Sequence, residues 1–233
     1  MIGLKGIPAI GRRQTSADIV FGRLYDGIIS LELLPGSKLS EVEVAERFGV
    51  SRQPVRDAFS RLGTMGLLDI QPQRATRVRH FSLAQIEAAR FVRRALELEL
   101  ARAAARVWDA AWTDPFEENL EAQAEAVARE DRAAFHALDE RFHEIVAELS
   151  GARHAFDLVL EKKAQVDRIC VLSLKRAKGM AELVDDHRAI YGALRARDGA
   201  AAQDALRVHL ARIGATIEAI RQAHPDYFAA DEA

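Results

Sequence analysis

The sequence predicts a mainly α-helical chain: an N-terminal winged helix-turn-helix with three helices and a β-hairpin wing, followed by an all-α antiparallel bundle of about six helices. Three observations carry this prediction. Two short helical segments meet at a glycine, two short strand-like segments follow them, and from about residue 81 the apolar residues keep a helical period. We expect an N-terminal arm over 1–14, a winged helix over 15–80 and a helical unit over 81–233.

Length and composition agree with two folded units. The chain has 233 residues, of which 49% are hydrophobic, so two cores can be filled. Its single cysteine excludes an internal disulfide framework. No segment has the roughly 18 consecutive apolar residues that a membrane span needs, so we expect a cytoplasmic protein without membrane contact.

The first helix pair is defined by its capping signals. A helix over Ser40 to Phe48 opens with the capping-box pair Ser40 and Glu43, and Gly49-Val50 forms the turn that follows. Ser51 is a suitable N-cap for the second helix, and Pro54 falls in its first turn, where the missing N–H has no cost. This arrangement is typical of a helix-turn-helix.

The helix over 51–62 separates apolar from polar side chains. At 100° per residue its apolar residues share one arc, and the opposite side presents Arg52, Gln53, Arg56 and Ser60. Arginine can pair bidentately with guanine and glutamine with adenine, so Arg56 and Gln53 are the preferred base readers. The alternative is an ordinary helical hairpin with a solvated charged face.

A basic wing favours the nucleic-acid interpretation. Leu67–Ile70 and Thr76–Arg79 are predicted strands joined by a turn over 71–75, and they place Arg74, Arg77 and Arg79 on the wing. Residues 47–79 contain seven arginines against two aspartates, a local charge of +5 in a chain of net charge −2. Positive charge is therefore concentrated where a duplex would lie.

The helix-turn-helix and the helical remainder both resemble parts of a known protein family. The run LPGSKLSEVEVAERFGVSRQPVRDAFSRLGTMGLL, from Leu34 to Leu68, closely resembles the winged helix of GntR-type bacterial transcription regulators. The helical remainder resembles the FadR subgroup with its FCD effector domain. By this resemblance Arg52 and Arg56 correspond to arginines at the DNA interface and Arg74 to a wing residue near the minor groove. Ala75 departs from the pattern, because these wings usually have glycine there.

Six helices are predicted beyond the wing. Ser82 with Gln85 caps the first, to about Val107, and Asp114-Pro115 caps the second, to about residue 128. The others cover about 132–149, 152–175, 182–196 and 200–222, with breaks at Gly151, Lys178-Gly179 and Asp198-Gly199.

Four residues of this bundle form a candidate metal site. Asp139 and His143 are four residues apart and share a helix face. His187 and His209 lie at similar distances on either side of the turn at 198–199, so they reach the same level of adjacent antiparallel helices. Taken singly, such histidines are usually structural or exposed. His136 shares the stripe of Asp139 and His143 and is a weaker candidate, for a residue that supports a metal ligand without binding the ion.

The resemblance supports the metal interpretation, because the FCD subgroup has an Asp and three His in the order D-x-x-x-H, H, H, and all four positions are filled. One carboxylate and three imidazoles suit a divalent ion, with Zn²⁺ as first choice and Ni²⁺ or Mn²⁺ as alternatives.

Arg93 is a candidate effector ligand. It shares an apolar stripe with Ile86, Ala89 and Leu100, so it points inward and needs a partner. Glu97, four residues on, would make an internal ion pair. The resemblance, through the run RRALE, implies instead that Arg93 binds the carboxylate of an effector held also by the metal.

These features predict a homodimeric transcriptional repressor and no enzyme. Two recognition helices would read half-sites of a near-palindromic double-stranded operator, and a small organic acid would release the DNA. Two alternatives remain at this point. The bundle could be a metal-dependent hydrolase, although Glu144 lies 100° round the helix from His143, or the protein could bind DNA constitutively around a structural metal.

Overall fold

The computed structural model describes residues 14–71, 73–173 and 177–229, without the side chains of 162–167, 170–173, 177 and 178. Residues 1–13 of the predicted N-terminal arm lie outside the described residues. The described chain is mainly helical, with a three-stranded antiparallel sheet in its N-terminal part, as the sequence predicts. None of the described helices is long and apolar enough to cross a membrane.

The N-terminal part is a winged helix. Its helices are α1 (Ser16–Ile29), α2 (Glu41–Phe48) and α3 (Arg52–Thr64), and its strands are β1 (Lys38–Leu39), β2 (Leu68–Asp69) and β3 (Thr76–Val78). Strand β3 lies between β1 and β2, with Leu39 opposite Thr76 and Leu68 opposite Val78. The hairpin of β2 and β3 is the predicted wing. Strand β1 was not predicted, because two residues are too short to show an alternating pattern.

The apolar face of α3 is the centre of this unit. Val55 and Leu62 are fully buried, and they belong to one core cluster with Val20 and Ile28 of α1. Gly49 ends α2 with a φ of 64°, a left-handed conformation that glycine adopts without strain. The opposite face of α3 is therefore turned outward by the packing of its apolar residues.

Two predicted helix caps form only in part. The Ser40 side chain accepts from the backbone N–H of Glu43, one half of the expected capping box. Ser51 is the N-cap residue of α3, as predicted, but its side chain makes no capping hydrogen bond. The first turn of α3 therefore leaves the Ser51 hydroxyl exposed to a partner outside the helix.

The second part of the chain contains six described helices. They are α4 (Leu83–Arg106), α5 (Thr113–Ala128), α6 (Arg132–Leu149), α7 (Arg153–Ser173), α8 (Ala177–Arg195) and α9 (Gly199–Ala223). Helices α8 and α9 form a hairpin, and α4 packs against both α7 and α9. The predicted helix number is confirmed for the described chain.

Two predicted helix ends are wrong. Helix α5 begins at Thr113, directly after a 3-10 turn over Ala110–Trp112, so Asp114 and Pro115 lie in its first turn instead of capping it. Helix α8 begins at Ala177, so the predicted break at Lys178-Gly179 falls inside its first turn. A glycine costs only about 1 kcal/mol in a helix, and tertiary packing outweighs so small a preference.

The two parts meet at a packed joint. Phe81, two residues before α4, makes two backbone hydrogen bonds with the C-terminal segment: its N–H donates to Tyr227 O, and Ala229 N–H donates to its carbonyl. Arg168 of α7 is fully buried there, donates to Arg79 O at 2.9 Å and lies 4.3 Å from the centre of the Phe81 ring. Helix α7 also contacts α1, so it touches both parts of the chain.

Candidate metal centre and DNA interface

The structure brings the four predicted metal ligands together. Asp139 and His143 project from one face of α6, and His187 of α8 and His209 of α9 face them across the bundle. One ligand atom from each residue lies within 4.8 Å of the others, and the three imidazoles are buried. His136 is not a member of this group. Helical spacing on α6 and the hairpin of α8 and α9 thus place the cluster as the sequence predicts.

The coordinating atoms face one another at short distances. Nε2 of His143 lies 3.2 Å from Nε2 of His209, and Nε2 of His187 lies 3.5 Å from Oδ1 of Asp139. Four ligands about 2.1 Å from a tetrahedral zinc ion would be about 3.4 Å apart. The Nε2 atom of His187 has no hydrogen-bond partner among the described residues, although it is buried. A buried lone pair aimed at a cluster of further ligands fits a bound cation.

Two imidazoles have an oxygen atom of a buried side chain next to their other nitrogen. Nδ1 of His143 lies 2.6 Å from Oε2 of Glu97, and Nδ1 of His187 lies 2.8 Å from Oε1 of Gln123. The amide oxygen of Gln123 only accepts, so Nδ1 of His187 carries its proton, and the guanidinium of Arg93 only donates, so Nε2 of His143 carries its lone pair. Both Nε2 atoms are then lone-pair donors to a metal, the tautomer that coordination requires.

The orientation of Gln123 is itself fixed. Its amide nitrogen donates to Asn119 Oδ1 at 2.6 Å, and Asn119 donates to the backbone oxygen of Leu138 at 3.1 Å. Gln123 is fully buried and Asn119 nearly so. This chain of hydrogen bonds from α5 holds the imidazole of His187 in place. Sequence analysis missed both residues, because a buried amide in an amphipathic helix has no spacing signal of its own.

Burial favours the neutral form of two imidazoles, His187 and His209. Desolvation lowers the pKa of His187 well below its ordinary value, and the neighbouring His209 lowers it further. Desolvation also lowers the pKa of His209, against the opposing effect of Asp186, whose Oδ2 lies 3.6 Å from its Nδ1. Neutral imidazole is the form that binds a metal, so no proton has to be removed from these two residues at neutral pH.

Arg93 lies at the edge of this centre and contacts Glu97 and the metal-ligand candidate His143. Its Nε donates to Oε1 of Glu97 at 2.5 Å, and its Nη2 lies 3.1 Å from Nε2 of His143. Burial disfavours a charge on Glu97, but Arg93 and His143 outweigh this effect and lower the pKa of the carboxyl. The ion pair with Glu97 that the sequence offered as an alternative is therefore present, and Arg93 also reaches a metal-facing nitrogen.

Glu144 has no access to the cluster. Its carboxylate pairs with Arg141 at 2.7 Å and with Arg153 at 2.5 Å, on the side of α6 away from His143. A hydrolase would need a general base beside a metal-activated water. Glu144 cannot serve as that base, in agreement with its place on the helical wheel.

The polar face of α3 is exposed over its whole length. Ser51, Arg52, Gln53, Arg56 and Ser60 are all open to solvent. Three of them already have partners within the chain. The amide of Gln53 donates to Asp57 at 2.9 Å, and both arginines donate to one carboxylate oxygen of Glu41. These hydrogen bonds leave the side chains on the outer face of the helix.

The wing presents Arg74 at its tip. Arg74 donates to the side chain of Gln71 at 3.0 Å and is exposed, whereas Arg77 donates to the carbonyl of Gly36 at 2.8 Å. The left-handed residue of the turn is Gln73, with φ of 61°, and Ala75 is not among the described residues with positive φ. The replacement of glycine by alanine at 75 therefore introduces no backbone strain.

Comparison with known proteins agrees with this architecture. Residues 17–78 match the family described as "Bacterial regulatory proteins, gntR family", and residues 89–212 match the FCD domain. The chain is 37% identical over 209 residues to the HTH-type transcriptional repressor RspR of Escherichia coli, covering 90% of this chain and 92% of the relative. It is 32% identical to the HTH-type transcriptional regulator LutR of Bacillus subtilis, covering 78% and 92%.

Solved structures show the same fold. E. coli McbR/YncC superimposes with a TM-score of 0.76 at 19% identity, over 89% of this chain and 99% of the other. A GntR transcriptional regulator from Rhodococcus sp. RHA1 superimposes with a TM-score of 0.72 at 25% identity, over 88% and 99%. The winged helix, the helical unit and these matches together place the chain in the gntR family of bacterial regulatory proteins, as a DNA-binding transcription regulator with an FCD domain and not an enzyme.

Proposed function

We propose that this protein is a homodimeric repressor that leaves its operator when a small organic acid binds at the metal centre of the FCD domain. The observation that carries the proposal is the contact of Arg93 with His143, which places a guanidinium beside four converging metal ligands. The relative RspR is named a repressor, which supports the sign of the regulation. The protein would act in the cytoplasm, where bacterial DNA lies.

DNA recognition is assigned to α3 and the wing. Arg56 and Gln53 are proposed to read base edges in the major groove, and Arg52, Ser51 and Ser60 to contact bases or backbone beside them. Arg74 would enter the minor groove or contact phosphate. Two copies related by two-fold symmetry would read the two halves of a near-palindromic operator, because the symmetry of the protein is mirrored in its site.

The metal is assigned to Asp139, His143, His187 and His209. Three neutral imidazoles and one carboxylate suit Zn²⁺ best, with Ni²⁺ and Mn²⁺ as alternatives. A bound divalent ion supplies coordination positions beyond the four protein ligands, where a carboxylate can bind. Glu97 and Gln123 would hold two of the imidazoles in the coordinating tautomer whether or not the effector is present.

The effector is proposed to be an anion because of Arg93. A guanidinium binds a carboxylate with two parallel hydrogen bonds, and Arg93 lies directly beside the metal ligand His143. The effector can change DNA affinity only through its differential affinity for two states of the protein. The two states would differ in how the two parts of the chain pack at the joint at Phe81, where α7 contacts both parts.

A thermal-shift screen tests this proposal. Sugar acids, dicarboxylates, hydroxy acids and fatty acyl compounds are added to metal-loaded protein and to protein treated with chelator. We expect one class of acid to raise the melting temperature of the metal-loaded protein alone. The same acid should weaken operator binding, measured by fluorescence anisotropy. If every acid leaves operator affinity unchanged in metal-loaded protein, the metal is structural and the protein binds DNA constitutively.

A further inference from the structure

Glu41 bridges two arginines of the proposed DNA interface. It lies in the first turn of α2, directly after the N-cap Ser40, while both arginines lie in the first two turns of α3. One carboxylate oxygen, Oε2, accepts from Nε of Arg56 at 2.9 Å and from Nη2 of Arg52 at 3.1 Å. The helix-turn-helix thus carries an acidic residue between two of its exposed arginines.

The bridge uses one particular edge of the Arg56 guanidinium. With Nε donating to Glu41, the Nη1 and Nη2 end remains for another partner, and no hydrogen bond from it to a described residue is present. The side chain is 54% exposed, so that end faces solvent. A guanidinium binds guanine O6 and N7 with two parallel N–H groups, which the Nη1 and Nη2 pair provides. Glu41 therefore holds Arg56 by the edge that base recognition does not need.

The bridge has opposite effects on specific and non-specific binding. An unrestrained arginine loses side-chain entropy when it binds, and the fixed orientation removes part of that loss beforehand. The carboxylate also cancels one of the two positive charges, which weakens attraction to phosphate at any sequence. Burial of Glu41 opposes its ionisation, but the hydrogen bonds from Arg56 and Arg52 outweigh this and lower the pKa of the carboxyl. The charge is present at neutral pH.

We propose that Glu41 is a specificity-determining residue, which positions the guanidinium of Arg56 for a guanine and lowers affinity for all other DNA. This inference rests on the proposed function, in which α3 reads the operator. It assigns a role in base discrimination to a residue of α2, outside the recognition helix.

The test compares two duplexes of equal length. One is selected from random sequences by the wild-type protein, and the other is a shuffled version of it. Dissociation constants are measured by fluorescence anisotropy at several salt concentrations for wild type, Glu41→Ala, Glu41→Gln and the control Glu43→Gln. Glu43 is an exposed acid on the same helix and makes no contact with Arg52 or Arg56. Circular dichroism checks that each variant is folded.

We expect Glu41→Ala to lower the ratio of selected to shuffled affinity by about tenfold, which is the loss of one oriented base contact. Glu41→Gln, which keeps an acceptor oxygen, should restore part of the ratio. Both variants should bind the shuffled duplex more tightly than wild type, because both lack the charge. In an Arg56→Ala background, Glu41→Ala should leave the ratio unchanged, since the residue acts through Arg56. Glu43→Gln should leave the ratio at its wild-type value.

An equal gain in affinity for both duplexes in Glu41→Ala would overturn the inference, because Glu41 would then be only a repulsive charge. That result leaves the proposed function intact, since the wild type still discriminates. A wild-type protein that selects no sequence would overturn the proposed function and this inference together.

Discussion

Replacement of His187 by alanine should remove metal binding and leave DNA binding in place. The imidazole is fully buried, offers Nε2 to the cluster and receives no other hydrogen bond there. Mutation of residues that only orient a metal ligand typically lowers metal affinity 10- to 100-fold. Removal of one of the four ligands themselves should lower it at least as much. The winged helix lies in another part of the chain, so operator affinity without effector should stay within about threefold.

The size of the metal effect can be worked out beforehand. A ligand at about 100 times its dissociation constant stabilises the folded state by about 2.7 kcal/mol. For a chain of this length each kcal/mol corresponds to about 2–4 °C in melting temperature, so saturating zinc should raise the wild-type transition by about 5–11 °C. At the same zinc concentration the His187→Ala transition should rise by about half that amount or less, because a 10-fold loss of affinity lowers the stabilisation to about 1.4 kcal/mol.

The assay is thermal denaturation of chelator-treated protein with and without added Zn²⁺, with elemental analysis of the purified protein. The variant also loses the ring contact with Phe142, whose centre is 4.2 Å away, and leaves Gln123 without its partner. Metal-free His187→Ala should therefore melt below the metal-free wild type, and only the zinc-induced shift is compared. His154→Ala, at an exposed position of α7, is the matched control. A full zinc shift and full occupancy in His187→Ala would refute the assignment.

Three further predictions concern DNA, pH and the joint. Arg56→Ala should cost about 1–3 kcal/mol of operator binding and relax preference at one base position in a gel-shift assay; unchanged affinity would contradict its role. Metal-free protein should lose unfolding free energy through His187 and His209 as the pH falls from 7 to 5.5. The sign follows because their folded pKa values are lowered, so the unfolded state binds protons first; chemical denaturation that shows no loss would refute it. Arg168→Met should melt no lower than wild type. Burial lowers the pKa of Arg168 to about 10, and its Nε and Nη2 make no hydrogen bond to described residues, so the buried charge costs stability. A loss of more than about 2 kcal/mol of unfolding free energy in this variant would show that the charge is compensated.

Periodic features of the fold could be predicted from sequence. The helix over Arg132–Leu149 begins and ends where its apolar period places it, and the Asp198-Gly199 turn sets the register of His187 against His209. Local capping signals were less reliable. The pair Asp114-Pro115 resembles a helix start, but α5 begins one residue earlier because the preceding 3-10 turn continues into it.

Contacts between distant helices could not be predicted. Gln123 and His187 are 64 residues apart, and no spacing rule brings an amide of α5 to an imidazole of α8. Glu41 has the same difficulty, since its position alone indicates only an acidic residue in the first turn of a helix, and its contact with Arg56 depends on the angle between α2 and α3. The division after residue 80 and the individual DNA contacts stay predictions.

The most direct test measures the operator affinity of one preparation in four states. The protein is treated with chelator or loaded with zinc, and each form is measured with and without the organic acid that the thermal-shift screen identifies. We predict that the acid weakens binding to the selected duplex at least tenfold with zinc and has no effect with chelator or in His187→Ala. Equal operator affinity in all four states would contradict a regulator that senses an acid through its metal centre.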